Sequence, residues 1–204
     1  MFDMGTDNLP TKTIPTCSHA PDTDIGAISL YIHIPFCETK CPYCDFNTYT
    51  AIESLMPSYI SALKTEISLW VSRLGRPRVT TVFFGGGTPS YLPAADIESL
   101  LKHIRNCCDL DICGEITLEC NPGDITRDKL SSYLDSGVNR LSIGVQSFSD
   151  SLLRLLGRRH TSSDAIRSYK LAIESGFENV SIDLMYGLPN QTTQDWHTTL
   201  EIAR

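Results

Sequence analysis

The sequence predicts an α/β fold built on parallel strands. Three observations carry that expectation. β-rich and helix-patterned segments alternate along the chain, with five strands each followed by helix. Such alternation gives parallel strands joined by right-handed crossovers. Gly, Pro and Asn punctuate the junctions, as at Pro35, Asn121-Pro122-Gly123 and Gly137. The residues with chemical capability fall at the carboxyl ends of the strands, where barrel-type and open α/β folds keep their sites.

Each element has its own signal. ISLYIHI (28–34) is rich in β-branched and aromatic residues and stops at Pro35. Residues 54–74 place Ile60, Leu63, Ile67 and Val71 at helical spacing. VTTVFF (79–84) is the second strand and runs into Gly85-Gly86-Gly87. Residues 94–108 read as helix and GEITLEC (114–120) as the third strand. Residues 126–137 form a helix with Thr126 as N-cap and Gly137 as its stop. VNRLSIGVQS (138–147) is the fourth strand, and 149–157 and 162–176 are helical. The fifth strand lies in ENVSIDLMYGLP (178–189), and 192–204 begins another helix.

Composition narrows the function classes. Of 204 residues, 17 are Lys or Arg and 24 Asp or Glu, a net charge of −7. That balance argues against a protein whose main work is gripping nucleic-acid phosphates. The 41% hydrophobic content is that of a globular chain. No run of about 18 apolar residues offers a transmembrane segment. Residues 1–27 read as a flexible polar tail, and 28–204 as one core domain. The tail has no basic region followed by an apolar one, so it is not a secretory signal, and a cytoplasmic location is expected.

Without export, disulfides are rare, and clustered cysteines bind metal or do chemistry. Cys37, Cys41 and Cys44 form a CxxxCxxC run. Three thiolates so close in sequence can reach three corners of one compact iron–sulfur cubane. The fourth corner then stays open to a small chelating molecule. Ordinary ferredoxin clusters take four cysteines. A structural zinc site wants four closed ligands, for which His33 is the nearby candidate. Inert buried thiols are the third reading. Cys107 and Cys108 are adjacent on a helix, share no face and read as packing residues. Cys17 and Cys113 carry no pattern, and Cys120 merely follows Glu119.

GGGTP (85–89) is by itself a turn, and no GK[ST] follows to make it a phosphate loop. Asp183 lies inside a strong β-run, so a buried carboxylate in need of a partner is expected. Arg159, beside Arg158, reads as a surface charge as readily as a ligand group. His33 reads as a satisfied core histidine, His160 and His197 as exposed, and Trp70 and Trp196 as packing residues.

Taken in order, LYIHIPFCETKCPYCDF, FFGGGTPSYL, LECNP, RLSIGVQSF and SIDLMYGLP resemble the radical S-adenosylmethionine superfamily. Within it they resemble the coproporphyrinogen III dehydrogenase-like group, over residues 28–204. That group holds oxygen-independent coproporphyrinogen III dehydrogenases and HemW-type haem chaperones. The dehydrogenases carry a further cysteine two positions after the third. Phe46 stands there in this chain, which favours the chaperone type.

The resemblance implies a partial (β/α)6 barrel, here ending after about five βα units and so expected to be a fragment that handles cofactor poorly. It implies a 4Fe–4S cluster on Cys37, Cys41 and Cys44, with S-adenosylmethionine on the open iron. It carries cofactor contacts to Tyr31, Tyr43, Gly86, Gly87, Thr88, Glu119, Gln146, Arg158 and Asp183. The implied function is binding haem and delivering it to an acceptor protein. The alternative is radical decarboxylation of coproporphyrinogen III, with a porphyrinogen as partner.

Overall fold

A computed structural model describes residues 26–204, so the expected tail lies almost wholly outside the described residues. Five strands, β1 (Ile28–Ile34), β2 (Arg78–Gly86), β3 (Asp109–Cys120), β4 (Arg140–Gln146) and β5 (Asn179–Leu184), form one sheet in the order β1-β2-β3-β4-β5. Every neighbouring pair is parallel. Six helices follow the strands: α1 (Met56–Leu74), α2 (Ala94–Cys107), α3 (Arg127–Ser136), α4 (Asp150–Leu155), α5 (Ser162–Glu174) and α6 (Thr193–Ala203). Each strand is laid beside its predecessor, so the sheet winds in one direction as a partial barrel wall.

The period of two along each strand separates two faces. Ile32 and Ile34, Val82 and Phe84, Ile116 and Leu118, and Leu141, Ile143 and Val145 are buried in one continuous core. The register aligns them: Ile32 with Phe84, Phe84 with Leu118, Leu118 with Leu141, and Ile143 with Ile182. The amphipathic helices cover this face. Ile60 and Ile67 of α1, Leu100 and Ile104 of α2 and Leu130 of α3 are buried there. The other face is mostly polar and lines the barrel interior. Its rungs include His33 opposite Gly85, Glu119 opposite Ser142, and Gly144 opposite Asp183. Tyr31 and Phe83 stack on it with ring centroids 6.0 Å apart.

Helix ends follow the local chemistry. The Thr126 side chain caps α3, and Gly137 closes it at φ +94°. Thr161 and Thr192 form capping boxes with Asp164 and Asp195. Two strand bounds depart from the sequence expectation. β2 runs on through Gly85 and Gly86 because β1 pairs with them, Ile34 facing Gly86. β3 starts at Asp109, where Arg78 and Val79 pair before the register shifts at Thr81.

Trp70 is 53% exposed, against the expectation that it packs. It lies on the solvent side of α1, where Arg73 covers its ring at 5.6 Å. Trp196 is half-buried beside Tyr186. Among the described residues, no helix is long and apolar enough to cross a membrane.

Candidate functional site

A cavity of about 540 Å³ opens at the carboxyl ends of the strands. That volume suits a cofactor-sized ligand. Every site residue expected from the sequence lines it except Tyr31. Tyr31 lies lower on the interior face, 59% exposed, with its hydroxyl 3.3 Å from His33 Nδ1.

The cysteine loop springs from the end of β1. Cys37 N–H donates to Tyr49 O (3.0 Å) and Tyr49 N–H to Pro35 O (2.8 Å), which closes the loop at its base. Cys41-Pro42-Tyr43-Cys44 is a turn, with Cys44 N–H donating to Cys41 O at 3.0 Å. Pro42 presets the backbone for that turn. Cys37 is buried, while Cys41 and Cys44 are half-buried. Burial raises the Cys37 thiol above its ordinary value, against the opposing bond from Thr88. Its Sγ lies 3.4 Å from Thr88 Oγ1.

The glycine strip runs alongside. Gly87 N–H donates to Ile34 O (2.8 Å) and Thr88 N–H to Phe36 O (2.9 Å), zipping it to the root of the cysteine loop. Gly86 has φ +111°, and a Cβ there would meet the His33 ring at 2.4 Å. A Cβ on Gly87 would meet the carbonyl oxygens of Ile34 and Phe36 at 2.8 Å. Only glycine fits at either position.

Charge is divided across the cavity. Gly86 N–H donates to Glu119 Oε2 at 3.2 Å. Burial raises the Glu119 carboxyl above its ordinary value; the Gly86 bond opposes, the Asp183 charge adds, and His33 opposes. Ser142 Oγ lies 3.2 and 3.3 Å from the Asp183 oxygens. Asp183 itself is exposed, contrary to the expected buried carboxylate, because β5 is an edge of the sheet among the described residues. At the carboxyl end of β4, Arg158 donates to Gly144 O (2.5 Å) and reaches Cys41 Sγ (3.7 Å) and Tyr43 Oη (3.5 Å). Its Nε is buried without a partner. Burial, reinforced by Cys41 and opposed by Arg158, pushes the Tyr43 hydroxyl up to about 12. Gln146 ends β4 with φ +67°, and its amide lies over Gly144.

The profile of the Radical SAM superfamily matches residues 31–203. The chain belongs to that superfamily. Radical SAM proteins are built around a 4Fe–4S cluster and S-adenosylmethionine. The donors fit those groups. Three thiols rim one cavity. The glycine cradle, two acids and an arginine with an orphaned Nε suit a ligand carrying both charges.

The chain is 42% identical over 179 residues to the heme chaperone HemW of Bacillus subtilis, covering 86% of this chain and 46% of the relative. For HemW of Escherichia coli the figures are 44% over 170 residues, 82% and 45%. The chain thus spans about half the length of these curated relatives. The structure of the Escherichia coli coproporphyrinogen III oxidase HemN superposes with a TM-score of 0.81 at 35% identity, covering 87% of this chain and 41% of that one.

Sequence reasoning missed two residues of this cavity. Ser142 and Met185 line the cavity and carried no motif signal of their own. His160, expected on the surface, is 4% exposed, because its Nε2 pairs with Val145 O at 3.1 Å. Nε2 therefore donates, and the ring is held neutral. Burial lowers its pKa from 6.5 to about 4; the Arg158 charge adds, the Val145 bond and Asp164 oppose, and Arg159 adds again. Below about 6.5 the unfolded chain takes up a proton that the folded chain refuses. Stability is therefore expected to fall as pH drops from about 6.5 to about 4. Thermal denaturation over that range should have a shallower pH slope in His160→Gln than in the wild type.

Proposed function

We propose that this chain is the cluster- and S-adenosylmethionine-binding part of a haem chaperone of the HemW type. The observation that carries the reading is the convergence of three loop thiols, a glycine cradle and oppositely charged side chains on one cavity. Cys37, Cys41 and Cys44 hold a 4Fe–4S cluster. Gly86, Gly87 and Thr88 offer the backbone along which the methionine part of S-adenosylmethionine lies. Arg158 meets a carboxylate of the ligand. Glu119 and Asp183 accept from its cationic or hydroxyl groups, and Gln146 supplies an amide. Tyr43 covers the cavity mouth; Tyr31, deeper on the interior face, orients His33.

When bound, the reduced cluster and S-adenosylmethionine supply one-electron chemistry that no side chain provides. The residues of this chain bind, orient and shield. The Tyr43 hydroxyl keeps its proton at neutral pH. The Gly86 N–H fixes the Glu119 carboxylate toward the cavity. The setting is a reducing cytoplasm, where the seven unpaired described thiols stay available.

Phe46, 69% exposed at the cavity mouth, supports the chaperone reading over porphyrinogen oxidation, since it stands where the dehydrogenases keep a cysteine. The names of the Bacillus and Escherichia relatives support it too. Haem and a haem-acceptor protein are then the partners.

Anaerobic reconstitution with iron and sulfide, followed by electron paramagnetic resonance, tests the reading. The reduced protein should give a 4Fe–4S signal that changes shape on adding S-adenosylmethionine. A signal indifferent to the cofactor even at saturating concentration, where weak binding by a partial barrel no longer matters, would sink it. Haem transfer, without consumption of coproporphyrinogen III, is the expected functional outcome; turnover of the porphyrinogen would establish the oxidase instead.

A further inference from the structure

The cysteine loop is tied to the body at more than its base. Glu38, between Cys37 and Cys41, pairs with Arg159 Nη1, and Arg159 Nη2 donates to Asp124 Oδ1 at 2.9 Å. Arg159 lies in the segment between α4 and α5, and Asp124 in the turn after β3. The inner end is firm. The Asp124 side chain is 7% exposed, and its Oδ2 accepts from Ser90 Oγ at 3.0 Å. Ser90 Oγ in turn accepts from Asn121 N–H at 3.0 Å. The outer end is looser, with the Glu38 side chain 49% exposed. Gly157 closes the same seam: at φ +65° it leaves no room for a Cβ, which would meet Pro42 Cδ at 2.9 Å.

We propose that Arg159 is a positioning residue, whose fork joins Glu38 to Asp124 and so holds the cysteine loop in place before any cluster arrives. The inference rests on the reading that the three thiols of this loop hold the cluster. A guanidinium suits the task because its two nitrogens address two carboxylates at once, which an ammonium cannot do at this spacing. Asp124 orients the guanidinium from the buried side, and Glu38 carries the restraint to the loop. Arg159 touches no thiol; it acts through Glu38.

The test begins with the chain of residues 1–204 without cluster. Hydrogen exchange at the Cys37 and Cys44 amides, both bonded within the loop, should speed up about fivefold in Arg159→Gln, the order expected for a half-exposed charge-assisted pair. Glu38→Gln should give the same increase. The double variant should add nothing to either, because one restraint has been removed. Arg159→Lys should not restore protection. Additive effects, rescue by lysine, or unchanged exchange would each overturn the proposal.

The loaded protein gives a second readout. Loss of iron to a chelator should be several-fold faster in Arg159→Gln and insensitive to it in the Glu38→Gln background. If wild type and variant lose iron at one rate, the positioning role falls and the cluster reading stands. If the wild type takes up no cluster, the cluster reading falls, and the exchange data still decide whether Arg159 restrains the loop.

Discussion

Cys41→Ala should abolish cluster assembly while leaving the fold intact. The iron content after anaerobic reconstitution should drop from roughly four per chain to well under one, because two thiols cannot anchor a cubane that needs at least three protein corners. Stability should barely move. Cys41 is a half-buried loop residue whose Sγ meets Arg158 at 3.7 Å and neighbours the Tyr43 hydroxyl. The change in unfolding free energy should stay under about 1 kcal/mol. Cys113→Ala is the control: the residue is exposed and outside the cavity, and iron content should be that of the wild type. A Cys41→Ala protein that retains the full complement of iron would remove this cysteine from the ligand set.

Gly86→Ala should cost both stability and cofactor affinity. Two effects add. The backbone sits at φ +111°, a region L-residues rarely adopt, and the new Cβ would lie 2.4 Å from the His33 ring. That ring has little freedom, because Nε2 is fixed 2.9 Å from Asn47 O and Nδ1 faces the Tyr31 hydroxyl. Strain and overpacking together should cost about 3 kcal/mol. For a chain of this size the melting temperature then falls by roughly 10 °C. Gly75→Ala separates the two effects. Gly75 ends α1 at φ +71° with open space around it, so only the conformational penalty of about 1 kcal/mol applies. Affinity for S-adenosylmethionine should fall more than about tenfold in Gly86→Ala, since the cradle would be filled by the methyl group, and stay unchanged in Gly75→Ala. Equal melting temperatures for the two variants would mean that the His33 ring moves aside without cost.

Much of this was legible from the chain itself where local chemistry decides. The strand at 28–34 and the Thr126 and Gly137 ends of α3 stand where the sequence places them, since propensity and capping act within a few residues. The first five residues of β3 were illegible, because DLDIC becomes strand only by pairing with Arg78 and Val79. His160 shows the same limit. In RRH it looks like solvent-facing charge, and its burial is set by a carbonyl fifteen residues away. Arg159 could not be told from a surface cation until Glu38 and Asp124 met it. Asp183 erred the other way: a hydrophobic run predicts burial, but the outermost position in the sheet leaves the residue open.

Gln146 carries a wider lesson. It holds a left-handed backbone at φ +67° where the β4–β5 register slips, and its carbonyl still accepts from Met185 N–H at 2.9 Å. A glycine there would adopt the same backbone without penalty. The chain carries an amide-bearing residue there instead and bears the local strain of that backbone. On the reading proposed above, glycine at 146 would relieve that strain and give up the amide offered to the ligand, so robustness and binding pull this position in opposite directions.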